Sequence, residues 1–340
     1  MWFKNLRLYR FTQPFTPSSE ELEARLAEIP FVPCSNYEKS SLGWTAPIPA
    51  SDRTHEVVSE EEAEAGSLEE LEPPLTHTIG KYTMICARRQ ERLLPASVIR
   101  ESTSEKVAEL EQRQARKIYR KERKQIQEDV TAILLPQAFT RTQRTYAYLS
   151  LEDNLLVVDA ASAPRAEELV TLLRNSLGSL PVALPETKRN PSDVMTSWLQ
   201  ASKASDKFDL YEDCELYNPQ DGSNIVRCKG QDLEGEEIGA HLEAGKRVKA
   251  LGVSWNHLLS CVIDDDLTIK RLRFEEMKEE SESFAEETPA QKFDQEFALM
   301  TLELSNFFKS LFNAFGGLET PKQGDSHASE SENQESNDSD

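Results

Sequence analysis

Between Arg113 and Lys124 the chain carries Arg113, Arg116, Lys117, Arg120, Lys121, Arg123 and Lys124 against a single acid, Glu122, although the whole 340-residue chain has a formal net charge of -21. So strong a local reversal of sign asks for a polyanionic partner. Phosphate backbones are the commonest such partner, because each lysine or arginine set beside one releases condensed counterions. Further cations recur along the chain: Lys81, Arg88, Arg89 and Arg92; Arg141 and Arg144; Arg227 and Lys229; Lys246, Arg247 and Lys249; Lys270, Arg271 and Arg273. Any one of these clusters taken alone reads as a solvated face; the case for a partner is in their repetition. If several faced one cavity, binding would come from phosphates and would be largely independent of base sequence.

Two other chemistries compete. Asp264, Asp265, Asp266, Glu275 and Glu276 form the dense carboxylate set of the folded body, and nucleases use carboxylates to hold divalent metals for in-line displacement. Three consecutive aspartates between two strands are also what a turn selects, since aspartate bonds its own backbone there. A metal-dependent nuclease acting through Asp264–Asp266 therefore stands as one alternative, and a protein-interaction scaffold as another. Gly239 and Gly245-Lys246 resemble a phosphate-cradling loop, but the spacing is one residue too long and Arg247 replaces the magnesium-binding hydroxyl. Cys34, Cys86, Cys214, Cys228 and Cys261 are odd in number, widely spaced and free of CxxC pairs, so they read as reduced packing residues. No metal, cofactor or catalytic residue is expected, and the chain does not read as an enzyme.

The elements that must position these residues follow from patterning. Trp2–Phe11 predicts a strand, and Ser18 caps a helix reaching Ile29. Lys81–Ala87 predicts another strand, and Pro95 opens one long helix over Ala96–Val130 whose sparse apolar positions make it project from the body. Thr145–Leu151 and Leu155–Ala160 predict a hairpin, followed by a helix over Pro164–Leu177. Beyond the linker prolines Pro181 and Pro185, a helix begins at Pro191. Strands are expected at Ile225–Lys229, Arg247–Val253, Leu258–Ile263 and Leu267–Phe274, and a strongly apolar helix at Pro289–Phe315.

The result is an α+β, multi-domain chain with antiparallel sheets and a long projecting helix. Its divisions are 1–95, an N-terminal α+β part with an acidic loop at 51–75; 96–144, the projecting arm with a ring-closing tip; 145–190, the return of the first part; 191–318, a second α+β domain; and 319–340, a disordered acidic tail. Nine acids against Arg53 in 51–75, and seven against Lys322 in 319–340, account for most of the net negative charge, -14 of -21. Acidity overall is thus no argument against nucleic-acid binding. No apolar run approaches a membrane span and the N-terminus lacks a signal-peptide core, so no membrane partner and a cytoplasmic location are expected.

Several short stretches occur in a familiar order: Trp2-Phe3-Lys4-Asn5-Leu6, Phe31-Val32-Pro33-Cys34, Ile85-Cys86-Ala87-Arg88, Gln114-Ala115-Arg116-Lys117, Leu134-Leu135-Pro136, Ala138-Phe139, Arg174-Asn175-Ser176-Leu177-Gly178-Ser179-Leu180-Pro181 and His241-Leu242-Glu243-Ala244-Gly245-Lys246. Over residues 1 to 318 the chain resembles the recombination-associated RdgC family. The resemblance implies a ring-shaped homodimer, nucleoid-associated, that encircles double-stranded DNA without sequence preference. It also implies an effect on homologous recombination that restrains the RecA recombinase, indirectly through DNA. By motif, Phe139 matches an aromatic at a ring-closing contact, with Leu135 beside it. Arg116 and Gln231 match positions on the DNA-facing surface, to which Arg88, Arg89, Arg92, Arg113, Lys117, Arg120, Lys229, Lys270 and Arg271 are added by their charge.

Overall fold

The computed structural model describes residues 2–48, 73–222, 224–233, 235–275 and 288–319. The acidic loop expected at 51–75 falls almost wholly outside the described residues, as does the tail beyond 319. What is described is α+β, with seven helices and twelve strands.

The strands are β1 (Leu6–Phe11), β2 (Ser40–Thr45), β3 (Thr76–Ile79), β4 (Tyr82–Arg92), β5 (Thr140–Ser150), β6 (Leu155–Asp159), β7 (Val182–Ala183), β8 (Phe208–Tyr217), β9 (Ile225–Cys228), β10 (Arg247–Trp255), β11 (Leu259–Asp264) and β12 (Ile269–Phe274). They form one sheet in the order β2-β4-β5-β6-β1-β12-β11-β10-β8-β9, with β3 on β4 and β7 on β1. The two halves meet where Leu6 of β1 pairs with Ile269 of β12. Every named ladder is antiparallel.

The helices are α1 (Ser19–Ala27), α2 (Ala96–Gln114), α3 (Arg120–Leu134), α4 (Ala163–Leu177), α5 (Pro191–Gln200), α6 (Glu236–Glu243) and α7 (Pro289–Ala314). Strand alternation sends Ile85, Ala87, Leu149, Leu156 and Val158 to a core under α1 and α4. Met84, Tyr148, Leu155 and Val157 go to the other face, where the core continues without a break through Leu251, Val253 and Ile263. The apolar helix α7 spans that face: Phe297 lies 6.1 Å from Tyr148 of β5, and Phe307 lies 5.9 Å from Trp255 of β10. Both halves thus share one sheet and one helix. Among the described residues no helix is long and apolar enough to cross a membrane.

The single helix expected over Ala96–Val130 is two helices. Gln114 ends α2, Ala115 turns left-handed at φ 52°, and α3 starts only at Arg120. The reason lies in the charges. In one unbroken helix Arg113, Lys117 and Lys121 would form one row of like charges four residues apart, and Arg116, Arg120 and Lys124 a second; such neighbours repel. Folding back also lets Val107 bury against Ile126 and Val130. That contact offsets the left-handed alanine, a conformation costing about 1–2 kcal/mol. Glu111 accepts the Ile118 backbone N–H at 2.8 Å and closes the turn.

Candidate nucleic-acid interface

The helical hairpin is an insertion between β4 and β5. These strands pair along their whole length, from Tyr82 opposite Ser150 to Arg92 opposite Thr140, so the chain leaves and re-enters the sheet at adjacent points. Strand β4 runs five residues beyond its expected end at Ala87. Arg88, Arg89 and Arg92 are therefore strand residues, and alternation gives them different surroundings.

Arg89 continues the face of Ile85 and Ala87 and pairs with Glu168 of α4, with Glu91 at 3.5 Å. Arg88, on the opposite face, places its guanidinium 4.4 Å from the centre of the Phe31 ring. Gly43 of β2 makes that stacking possible. A β-carbon there would lie 2.5 Å from the Pro30 carbonyl oxygen and 2.6 Å from the Phe31 α-carbon, so only glycine lets the Phe31 segment come so close.

Arg92, singled out as a phosphate contact, has its guanidinium turned inward. It donates to the carbonyls of Ser35, Leu135, Pro136 and Ala138 at 3.1–3.4 Å and to Asn36 Oδ1 at 3.2 Å. Together with the Leu93 N–H to Phe139 carbonyl bond of 2.7 Å, it clamps the base of the hairpin to the sheet. Arg92→Ala is expected to raise amide exchange at Leu93 roughly 10- to 100-fold, since charged hydrogen bonds contribute about 1.5–3 kcal/mol. Lysine, without the planar fork, should fail to restore protection. Unchanged exchange with weakened DNA binding would make Arg92 a phosphate contact instead.

At the far end of the hairpin Arg113, Arg116, Lys117, Arg120, Lys121, Arg123 and Lys124 are all exposed, and Tyr119 stands among them at 77% exposure. Arg116 makes a two-pronged bond to Glu122 at 2.6 and 2.8 Å. That bond holds the Glu122 carboxyl below its ordinary range, so it stays ionised and Arg116 is largely neutralised. Arg123 reaches back to Ser104 Oγ at 3.3 Å, and Lys124 lies 3.7 Å from Glu128. Arg113, Lys117, Arg120 and Lys121 are left as the outward-facing charge of the turn.

The second basic group differs in kind. On β9, β10 and β12 the cations sit among carboxylates of the same sheet: Arg227 lies 2.7 Å and Lys249 3.5 Å from Glu215 on the adjacent β8, Lys270 pairs with Asp264 of the adjacent β11, and Arg271 lies 2.7 Å from Asp213 of β8, beyond the two intervening strands. The Arg227 hydrogen bond draws the Glu215 carboxyl below its usual range. Lys229 is exposed at the end of β9. Gln231 spends its side-chain amide on Glu237 at 2.8 Å. Positive potential is therefore concentrated on the hairpin turn and partly cancelled on the sheet.

The aspartate run behaves as a turn. Asp266 accepts the Thr268 N–H at 3.0 Å and lies 3.5 Å from Arg7, while Asp264, raised by burial, is tied to Lys270. Among the described residues no three His, Cys, Asp or Glu side chains are gathered where a metal ion could be held; Glu276 lies outside them.

Of the two expected interface residues, Phe139 is 85% exposed and Leu135 only 6%. Leu135 is buried within the chain and shapes the turn that presents Phe139. Phe139 stands at the base of the hairpin, at the opposite end from the cationic turn, where Leu93, Val98 and Ile133 are also exposed.

A family model described as "Putative exonuclease, RdgC" matches residues 1–63 and 61–318. The chain is 40% identical over 320 residues to the recombination-associated protein RdgC of Aeromonas hydrophila subsp. hydrophila, covering 94% of this chain and 99% of that one. It is 41% identical over 325 residues to the protein of the same name from Pseudomonas putida strain GB-1, covering 95% and 99%. Identity to the Pseudomonas aeruginosa strain LESB58 protein of that name is 39% over 323 residues, again covering 95% and 99%.

Proposed function

Because the chain belongs to the RdgC family of recombination-associated proteins, we propose that it binds duplex DNA without sequence preference, encircling it as a ring-shaped homodimer. Bound in this way it modulates homologous recombination, restraining the RecA recombinase by occupying DNA and not by catalysis. Its place would be the nucleoid within the cytoplasm. The observation that carries this reading is the hairpin turn, where Arg113, Lys117, Arg120 and Lys121 face solvent at the end of an arm inserted between β4 and β5. Phosphate attraction needs charge and reach, both of which such an arm supplies. Phe139, together with Leu93, Val98 and Ile133, offers an apolar surface at the arm's base for a second copy.

Binding measured across a salt series tests the reading. Several phosphate contacts predict a log-log slope of about -0.9 per contact, equal for duplexes of unrelated sequence. A slope near zero, or a strong preference for one sequence, would sink it. Magnesium-dependent digestion of the duplex, lost in Asp265→Ala, would favour the nuclease instead.

A further inference from the structure

All five cysteines are free thiols, and two on consecutive strands stand face to face. Cys214 of β8 and Cys228 of β9 are direct cross-strand partners, flanked by the pairs Glu215 with Arg227 and Leu216 with Val226. Directly opposed residues of an antiparallel pair send their side chains to one face, with α-carbons about 4.5–5.5 Å apart. A disulfide spans roughly 4.4–6.8 Å between α-carbons. We propose that Cys214 and Cys228 are a redox modification site that closes reversibly into a cross-strand disulfide.

Their surroundings assign the order of events. Strand β9 is the last of the sheet order, and Cys228 is only half buried, whereas Cys214 is buried against Leu216 and Leu251 in the core. Cys228 is the thiol that an oxidant reaches, and Cys214 the one that resolves. Burial first, and then the neighbouring Cys228, push the Cys214 thiol up to about 12. Cys34 instead donates to the Gln90 carbonyl and to Ser41 Oγ, and Cys86 and Cys261 are buried on other strands.

With a small-molecule disulfide as oxidant, Cys228 gives up its proton and its thiolate attacks one sulfur, forming a mixed disulfide and expelling one small thiolate. Cys214, deprotonated in turn, attacks the Cys228 sulfur and expels the second. Two protein thiols are oxidised to one disulfide, the small disulfide is reduced to two thiols, and the two protons end on those thiols. Opposed β-carbons about 4.5–5.5 Å apart must draw together to reach the roughly 3.5–4.5 Å of a disulfide. The bridge is then readily reduced, in keeping with a transient role in a reducing compartment. Lys229 follows Cys228 directly and Gln231 comes two residues later, so the closed bridge would fix the backbone leading to both.

Incubating the full-length protein with oxidised glutathione, followed by thiol titration and non-reducing peptide mapping, tests this. Free thiols should fall from five to three, with one bridge mapping to Cys214 and Cys228, and dithiothreitol should restore all five. Closure should quicken about tenfold per pH unit between neutral and mildly alkaline pH, because the thiolate is the nucleophile. Cys214→Ser should stop at a glutathione adduct on Cys228, and Cys228→Ser should form no bridge. Five thiols remaining, a bridge between any other pair, or glutathione adducts accumulating without closure in the unsubstituted protein would overturn it.

Discussion

Replacing Arg113, Lys117, Arg120 and Lys121 together with alanine is expected to weaken duplex binding roughly a hundredfold at low salt, and to flatten the salt dependence by up to about 3.6 in log-log slope, at 0.9 per phosphate contact. All four are exposed, so the substitutions remove charge without opening a core; helix propensity is unharmed, alanine being the best helix former. Arg116 is left in place because Glu122 already neutralises it. Exchanging Arg113 and Arg120 for lysine should retain most of the affinity, since phosphate attraction depends on charge. Anisotropy titrations at several salt concentrations, beside circular dichroism to verify folding, give the reading. Unchanged affinity in a folded alanine variant would move the interface to the sheet face and to Lys229.

Phe139→Ala should leave the folded chain as stable as before and cripple its self-association. The side chain is 85% exposed, so truncation loses little within one chain. Burying a phenylalanine against a partner contributes about 1.5–3 kcal/mol. A two-fold contact uses the residue twice, so the association constant should fall by about two to four orders of magnitude. Sedimentation equilibrium reads the constant, and thermal melting reads the stability. A melting point that drops with association unchanged would mean that Phe139 serves its own chain and not a second copy.

Much of the architecture was legible because local chemistry and tertiary demand agree. The Ser18 side chain accepts the Glu21 N–H at the start of α1, as the capping pattern requires. Pro191 and Pro289 stand at helix starts, and the run of phenylalanines in α7 is buried along the shared face. The strands β9 to β12 fall close to where alternation places them. Strand β8 is not marked by alternation, because Asp209, Glu212, Asp213 and Glu215 crowd it with acids; they lie on a half-open sheet surface where Asp213 and Glu215 meet Arg271 and Arg227. Helix α2 was legible too, but not its end, since nothing between Gln114 and Tyr119 is a glycine or proline.

By itself, the sequence determined that the basic run from Arg113 to Lys124 would be exposed, because so many cations cannot be buried together, and that the chain belongs with the recombination-associated RdgC proteins. Only the tertiary structure decided how that run is displayed. The like-charged rows and the meeting of Val107 with Ile126 and Val130 fold the helix into a hairpin. One end of it then carries the charge, and the other, clamped by Arg92, carries Phe139. Tertiary structure also divided the candidate residues. Alternation turned Arg89 toward Glu168, strand pairing set Lys270 against Asp264, and register placed Cys214 opposite Cys228. Each outcome depends on which strands become neighbours, and that is settled by burial over the whole sheet and not by any residue's own neighbours in the chain.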